Sequence, residues 1–127
     1  KRFPLSIHGV GLSLAGVDRP DKEHLARLKR LTDLFEPFLL SEHLAWSRHE
    51  NVSFPDLLQF PRTNEVLEII ARNIDITQST LGRQILVENP SLYLKLEGHD
   101  WPESLFLGEL VLEDLVFDAL KESDRDA

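Results

Sequence analysis

Three short apolar segments alternate with three longer amphipathic segments, and this alternation limits the fold more than any other feature of the sequence. The apolar segments span residues 3–8, 38–41 and 84–87, and glycines or polar residues close each of them. Strands and helices that alternate in this way form parallel sheets with right-handed crossovers and helices outside them. The nearly continuous apolar character of the segments is typical of strands covered on both faces. The sequence therefore predicts an α/β fold with about three βα repeats.

The first two helical segments carry signals for where they begin and end. Residues 18–21 contain an early proline and two acids, which favour a helix start because acids complement the positive end of the helix dipole. Pro37 disfavours helical geometry in the residue before it, so the first helix should end near Glu36. Thr63 is the expected N-cap of the second helix. Gly82 stands where a left-handed C-cap residue is expected.

The third helical segment and the connection before the second one complete the picture. Residues 100–103 open the third helix, which is apolar around much of its circumference as far as Leu120. Residues 45–62 contain two prolines and several polar side chains, so this stretch is expected to be a loop. No linker or low-complexity segment divides the chain. We expect residues 1–127 to form a single domain.

The composition excludes several classes of protein. The 42% of hydrophobic residues can fill one core, but no apolar run approaches the ~18 residues of a membrane-spanning helix. The amino end lacks the apolar centre of a signal peptide, so we expect a cytoplasmic protein. A net charge of −8 disfavours a general nucleic-acid surface. The chain has no cysteine, so a bound metal must use His, Asp, Glu or Asn.

Each predicted strand ends with side chains that can bind a metal. His8 closes the first strand, Glu42 and His43 close the second, and Glu88 and Asn89 close the third. Successive members of this set are separated by about one βα repeat, and ligands of parallel α/β folds bind at the carboxyl edge of the sheet. We therefore expect His8, His43 and Glu88 to converge. Two imidazoles and a carboxylate form the set preferred by non-heme Fe(II), with Mn(II) or Zn(II) as alternatives.

Plainer interpretations exist for each residue taken alone. A single histidine at a strand end is more often a hydrogen-bonded structural residue than a ligand. Gly9 and Gly11 form a tight turn, but the motif is too short for a dinucleotide fingerprint. Trp46 most simply covers the mouth of the site, and His24 is expected to be solvated among charged neighbours. Only the three strand ends together favour a metal site.

Four motifs resemble those of a known family over the range from Phe3 to Leu110. They are Ser6-Ile-His8-Gly-Val-Gly-Leu-Ser-Leu14, Ser41-Glu-His43-Leu-Ala-Trp-Ser47, Asp56-Leu-Leu58 and Leu81-Gly-Arg-Gln-Ile-Leu-Val-Glu88-Asn-Pro-Ser91. These long, ordered motifs are similar to those of the multinuclear non-heme iron-dependent oxidative enzymes, domain-of-unknown-function family 692. The enzymes of methanobactin biosynthesis belong to that family.

The resemblance implies a TIM barrel, similar to xylose isomerase, with two or three iron ions at its mouth. It also implies O₂-dependent oxidation of cysteine residues in ribosomally made peptides, aided by a small partner protein that presents the peptide. By the resemblance, His8, His43 and Glu88 match iron ligands, and Asn89 lies beside one of them. Glu42 is a candidate to fix the tautomer of a ligating imidazole. Asn89 and Trp46 are further candidates for substrate contact or ligand support.

The chain also departs from the family pattern. A full (β/α)₈ barrel needs about 250 residues, so we expect a truncated barrel that carries only the first portion of the site. Residues 115–118 resemble a vestige of the next strand, although they are expected to continue the third helix. An open sheet exposes its edges, which predicts self-association or a third helix that covers the inward face. The alternatives are therefore a catalytically inactive remnant, or a divalent-metal isomerase or hydrolase on a related barrel.

Overall fold

The computed structural model describes residues 3–89, 96–98 and 100–112. In chain order the elements are β1 (Ser6–Gly9), α1 (Lys22–Phe35), β2 (Leu39–His43), β3 (Trp46–His49), β4 (Val52–Leu58), α2 (Asn64–Leu81), β5 (Leu86–Glu88) and α3 (residues 103–112). The order confirms the predicted alternation of strands and helices. The predicted extension of the third helix to Leu120 and the vestigial strand at 115–118 lie outside the described residues. Within the described ranges, no helix is long and apolar enough to cross a membrane.

Strands β1, β2 and β5 form a parallel sheet in the order β1-β2-β5. The register pairs His8 with Ser41 and His43 with Glu88. This arrangement confirms the predicted α/β fold as part of a TIM-like barrel that is not closed. His8 lies in β1, as predicted, and Glu42 and His43 lie within β2 because this strand extends beyond the apolar segment 38–41 as far as His43.

Helix α1 begins and ends where the sequence signals predict. The Asp21 side chain accepts a hydrogen bond from the amide N–H of Glu23, which satisfies a free donor of the first turn. Glu36 adopts the left-handed conformation at φ 45°, and its N–H donates to the carbonyl of Thr32. The apolar stripe of the helix is only partly covered, since Leu25 is buried whereas Leu34 is 73% exposed.

Helix α2 is the buried scaffold of the described structure. The Thr63 hydroxyl accepts from the amide of Val66, and Gly82 ends the helix at φ 67°, as predicted. The amide group of Asn73 is fully buried and donates to the carbonyls of Leu14 and Gly16. The central helix thereby fixes the loop that follows β1.

Residues 46–58 form an antiparallel hairpin, so the prediction of a loop over residues 45–62 was wrong for this part. The register shifts between Trp46 and Arg48, and Glu50 adopts φ 52° in the turn. A bulge, a non-glycine turn and Pro55 within β4 hide the alternation that normally identifies a hairpin in sequence. Pro55 is tolerated because edge strands can lack a ladder donor.

The core lies on one face of the parallel sheet. Its centre combines buried side chains of the β1–α1 loop, α1, α2 and α3, with Ile85 and Val87 packed against it. The opposite strand face is exposed at Leu39 and Leu86, unlike the two covered faces expected from the sequence. Phe106 and Leu110 anchor the described part of α3 in the core, so this part of the helix does not cover the exposed face.

Candidate metal centre

Three strands place His8, His43 and Glu88 on one face of the sheet, at its carboxyl edge. Side chains alternate between the two faces of a strand, so Ser41 and His43 share a face and Glu42 lies on the other. His8 is paired with Ser41, and Glu88 is paired with His43, which brings all three donor side chains to the same face. The parallel register is therefore the direct cause of their convergence.

The donor atoms of this cluster are close enough to share one ion. The Nε2 atoms of His8 and His43 lie 2.8 Å apart, and His8 Nε2 lies 3.4 Å from Glu88 Oε2. His43 Nδ1 lies 3.8 Å from the same oxygen. One ligand atom from each residue can be chosen so that all lie within 4.8 Å of one another. The predicted convergence of the three side chains is thus present in the structure.

The chemistry of the cluster fits a divalent cation. Two ring nitrogens at hydrogen-bond distance cannot both carry a proton and cannot both present a lone pair without a proton or cation between them. The buried Nδ1 atom of His43 has no hydrogen-bond partner among the described residues. A cation would use the lone pairs that the protein leaves uncompensated, and the donor set is that of the two-histidine, one-carboxylate sites.

Ser41 contacts the cluster, although the sequence reasoning did not select it. Its hydroxyl oxygen lies 2.7 Å from His8 Nδ1, on the side of the ring away from His43. The signal available in the sequence was alternation, because a residue two positions before His43 in a strand must lie on the same face. Its pairing with His8 required the register of the sheet.

Glu42 lies on the helix-covered face of the sheet and is 2% exposed. Its Oε1 accepts from the amide of Leu12 at 3.5 Å, while its Oε2 is buried without a hydrogen-bond partner among the described residues. Burial raises the pKa of Glu42 to about 7, and hydrogen bonds from the backbone amides of Leu12 and His43 oppose this rise. The expected contact of this carboxylate with a ligating imidazole is therefore replaced by contact with the β1–α1 loop.

Asn89 and Trp46 are held by contacts of their own. The Asn89 side-chain amide donates to the carboxylate of Glu103 at 2.9 Å, which ties the end of β5 to α3. The indole N–H of Trp46 donates to the Arg48 carbonyl at 3.0 Å, and its ring makes an edge contact with Phe54. Trp46 thus packs within the hairpin and Asn89 contacts α3, and their expected contact with substrate stays a prediction.

The remaining histidines lie outside the cluster. His24 is half-buried rather than solvated, because it packs beside Gly11 of the β1–α1 loop. Burial lowers the pKa of His24, and Arg27 lowers it further. His49 Nδ1 lies 3.9 Å from Asp18 Oδ2. His99 lies outside the described residues.

The fold and the cluster define an α/β protein with a candidate metal centre at the carboxyl edge of a parallel sheet. Comparison with known families makes the assignment more specific. The sequence model described as "RiPP precursor modification enzyme MbnB/TglH/ChrH" matches residues 1–115. The chain therefore belongs to this family of enzymes that modify the precursors of ribosomally made peptides, which confirms the resemblance found in the sequence motifs.

Curated relatives support the same assignment. A UPF0276 protein of Caulobacter vibrioides is 56% identical over 109 residues, which cover 86% of this chain and 39% of the relative. A UPF0276 protein of Caulobacter sp. strain K31 is 63% identical over 106 residues, covering 84% and 38% of the two chains. One of Psychromonas ingrahamii is 42% identical over 109 residues, covering 86% and 38%. The chain thus spans about two fifths of the length of these relatives.

Proposed function

We propose that this chain carries part of the iron site of an enzyme that uses O₂ to oxidise cysteine residues in ribosomally made peptides. The observation that supports this function is the convergence of His8, His43 and Glu88, whose donor atoms lie within 4.8 Å of one another. Membership of a peptide-modifying family supplies the substrate class. One ion would lie among these three side chains. Binding of further ions would require a chain as long as the relatives.

The donor set supports iron more than a closed structural zinc site. Structural zinc prefers four protein ligands, usually with thiolates, whereas this cluster offers three donors from a chain without cysteine. Three protein ligands leave coordination positions for small molecules, which suits a non-heme Fe(II) oxygenase. Iron bound here would supply O₂ activation and accept electrons from a thiol. Mn(II) or Zn(II) in preference to iron would instead support an isomerase or hydrolase.

The cluster is partly exposed in the described part of the chain. The side chains of His8 and Glu88 are 39% and 57% exposed, and they lie on the strand face that the helices do not cover. The two imidazoles would bind and orient the ion, and the Glu88 carboxylate would neutralise part of its charge. A small partner protein that presents the peptide remains part of the proposal.

Metal preference tests the proposed cofactor. Metal-free protein is mixed anaerobically with equal amounts of Fe(II), Mn(II) and Zn(II) in separate chelator competitions, and Mössbauer spectra of the iron sample are recorded. We expect iron to bind as high-spin Fe(II) and to become oxidised when O₂ is admitted. The His49→Ala variant is the matched control, because His49 lies outside the cluster. Failure of iron to bind, or spectra that His43→Ala leaves unchanged, would contradict the proposed site.

Oxidation of a peptide tests the proposed reaction separately. The iron-loaded chain is incubated under O₂ with a synthetic peptide that contains one cysteine, and the cysteine is analysed by mass spectrometry. A mass change on the cysteine that requires iron and disappears in His43→Ala would support the enzyme. Iron binding without any oxidation would instead favour the inactive remnant.

A further inference from the structure

We propose that Ser41 is a positioning residue of the metal centre, whose hydroxyl orients the His8 ring and accepts a hydrogen bond from His8 Nδ1–H when Nε2 binds the ion. The inference rests on the proposed metal centre and assigns it a residue outside the predicted ligand set. It is carried by the 2.7 Å contact between Ser41 Oγ and His8 Nδ1. The parallel register places the two residues opposite each other, so the contact is built into the sheet.

The two ring nitrogens of His8 face different partners. Nε2 faces the other two donors, 2.8 Å from His43 Nε2 and 3.4 Å from Glu88 Oε2, whereas Nδ1 faces Ser41. A ring nitrogen that binds a metal must give up its proton, so the proton of the neutral ring then resides on Nδ1. Ser41 Oγ is close enough to accept a hydrogen bond from this Nδ1–H group. The hydroxyl thereby satisfies the Nδ1 proton of the metal-binding tautomer and restricts rotation of the ring.

The two imidazoles of the cluster differ in this support. The Nδ1 atom of His43 is buried and has no hydrogen-bond partner among the described residues. His43 is instead restrained by burial, since its side chain is 19% exposed, compared with 39% for His8. The more exposed ring, that of His8, is therefore the one whose Nδ1 has a hydrogen-bond partner. Loss of the hydroxyl should consequently act on His8 and leave the His43 ring in place.

An isosteric pair of variants isolates the hydroxyl. Ser41→Thr keeps the oxygen, whereas Ser41→Val replaces it with a methyl group of similar size, and both residues suit a strand. Ser53→Ala is the matched control, because Ser53 is an exposed strand serine in the hairpin. Circular dichroism establishes that each variant is folded. Zinc affinity is then measured by chelator competition, with zinc as a diamagnetic probe of the same donor set.

Outer contacts of metal ligands typically change affinity by about tenfold to a hundredfold, and we expect Ser41→Val to weaken zinc binding to that extent. Ser41→Thr should restore most of the affinity, and Ser53→Ala should leave it unchanged. Nitrogen-15 NMR of the zinc-loaded wild-type protein should show a proton on His8 Nδ1 that exchanges faster with water in Ser41→Val. If Ser41 had only a structural role, its substitution would change neither the tautomer of His8 nor the exchange rate of the His8 Nδ1 proton.

The outcomes separate this inference from the proposed function. If the wild-type protein binds zinc and Ser41→Val binds it equally well, with the His8 Nδ1 proton unchanged, the positioning role is wrong and the metal centre stands. If the wild-type protein binds neither zinc nor iron, the metal centre itself fails and the positioning role fails with it. Equal loss of affinity in the Thr and Val variants would also overturn the role of the hydroxyl.

Discussion

The Nε2 atoms of His8 and His43 face each other at 2.8 Å across two neighbouring strands, with the ring planes inclined at 76°. The residues are not direct register partners, since His8 pairs with Ser41 and His43 pairs with Glu88. Their rings meet because both side chains lie on the same face of the sheet, at its carboxyl edge. The pair therefore depends on the parallel register and supplies two of the three donors of the proposed site.

Substitution of a ligand should reduce metal affinity strongly. Ligand losses should exceed the roughly tenfold to hundredfold effects of outer contacts, so we expect His8→Ala or Glu88→Ala to weaken Fe(II) binding by more than about a hundredfold. Anaerobic competition with a coloured chelator measures the change. The His49→Ala control should bind as the wild-type protein does. A variant that loses either cluster residue and keeps full affinity would contradict the proposed ligand set.

A side chain at Gly9 should be poorly tolerated, because a Cβ atom there would clash with Glu42 Oε2. The buried carboxylate can move only by disturbing its contact with Leu12, so Gly9→Ala should destabilise the protein by about 1–3 kcal/mol. Gly108→Ala is the matched control, because the space around this helical glycine is open. It should stabilise the protein by about 0.5–1 kcal/mol. Urea denaturation measures both, and equal midpoints would contradict the packing described here.

Asn73 should be among the most sensitive polar residues of the core. Its side-chain amide donates to the carbonyls of Leu14 and Gly16, and Asn73→Ala would leave these buried acceptors without their donor. We expect a loss of about 2–4 kcal/mol of unfolding free energy. Glu68→Ala on the exposed side of α2 should change stability by less than about 0.5 kcal/mol. A small effect of Asn73→Ala in urea denaturation would show that the β1–α1 loop does not depend on this helix.

His24 should make the stability of the metal-free protein depend on pH. Burial, Arg27 and Arg48 lower its pKa below 6.5, and Asp21 opposes this shift. The unfolded chain therefore binds more protons at His24 near this pH, so the contribution of His24 to stability is complete above pH 6.5 and is lost as pH decreases below it. His24→Gln should reduce the difference between urea midpoints measured on the two sides of this range. An unchanged difference would refute the contribution of His24.

The exposed apolar side chains should drive self-association of the isolated chain. Leu34 and Phe38 are 73% and 59% exposed, and within the described residues β1 and β5 each pair on one side only. Unpaired strand edges and large apolar surfaces both favour association. We expect sedimentation velocity to show concentration-dependent oligomers that Leu34→Lys and Phe38→Lys together reduce. A monomer over the whole concentration series would contradict this prediction.

The sequence predicted the elements whose signals are local. The caps at Thr63 and Gly82 and the end of α1 near Glu36 agree with the structure, because capping depends on a few adjacent residues. The β3–β4 hairpin did not emerge from the sequence, since its turn uses Glu50 rather than glycine and Pro55 interrupts β4. Antiparallel pairing across a bulge has no signal as strong as a helix cap.

The candidate site was predictable to the extent that strand ends must meet at one edge. This rule brought His8, His43 and Glu88 together in the prediction, and the structure places them within reach of one ion. The rule does not tell which side chains near a strand end lie on the same face of the sheet, because this depends on the residue at which the strand ends. Because β2 extends to His43, the Glu42 side chain lies on the core face of the strand and the Ser41 side chain lies on the face of the candidate site. A shift of two residues in a boundary therefore decided which neighbours support the cluster.

The most direct test of the proposed metal centre is the position of iron in the folded protein. Anomalous diffraction at the iron absorption edge, from crystals of the protein loaded anaerobically with ferrous iron, locates the ion without reference to activity. We predict one anomalous peak for an iron ion coordinated by ring nitrogens of His8 and His43 and by a carboxylate oxygen of Glu88. Each metal–ligand distance should be about 2.0–2.2 Å. Iron bound elsewhere, or no peak among these three side chains in fully loaded protein, would contradict the proposed centre.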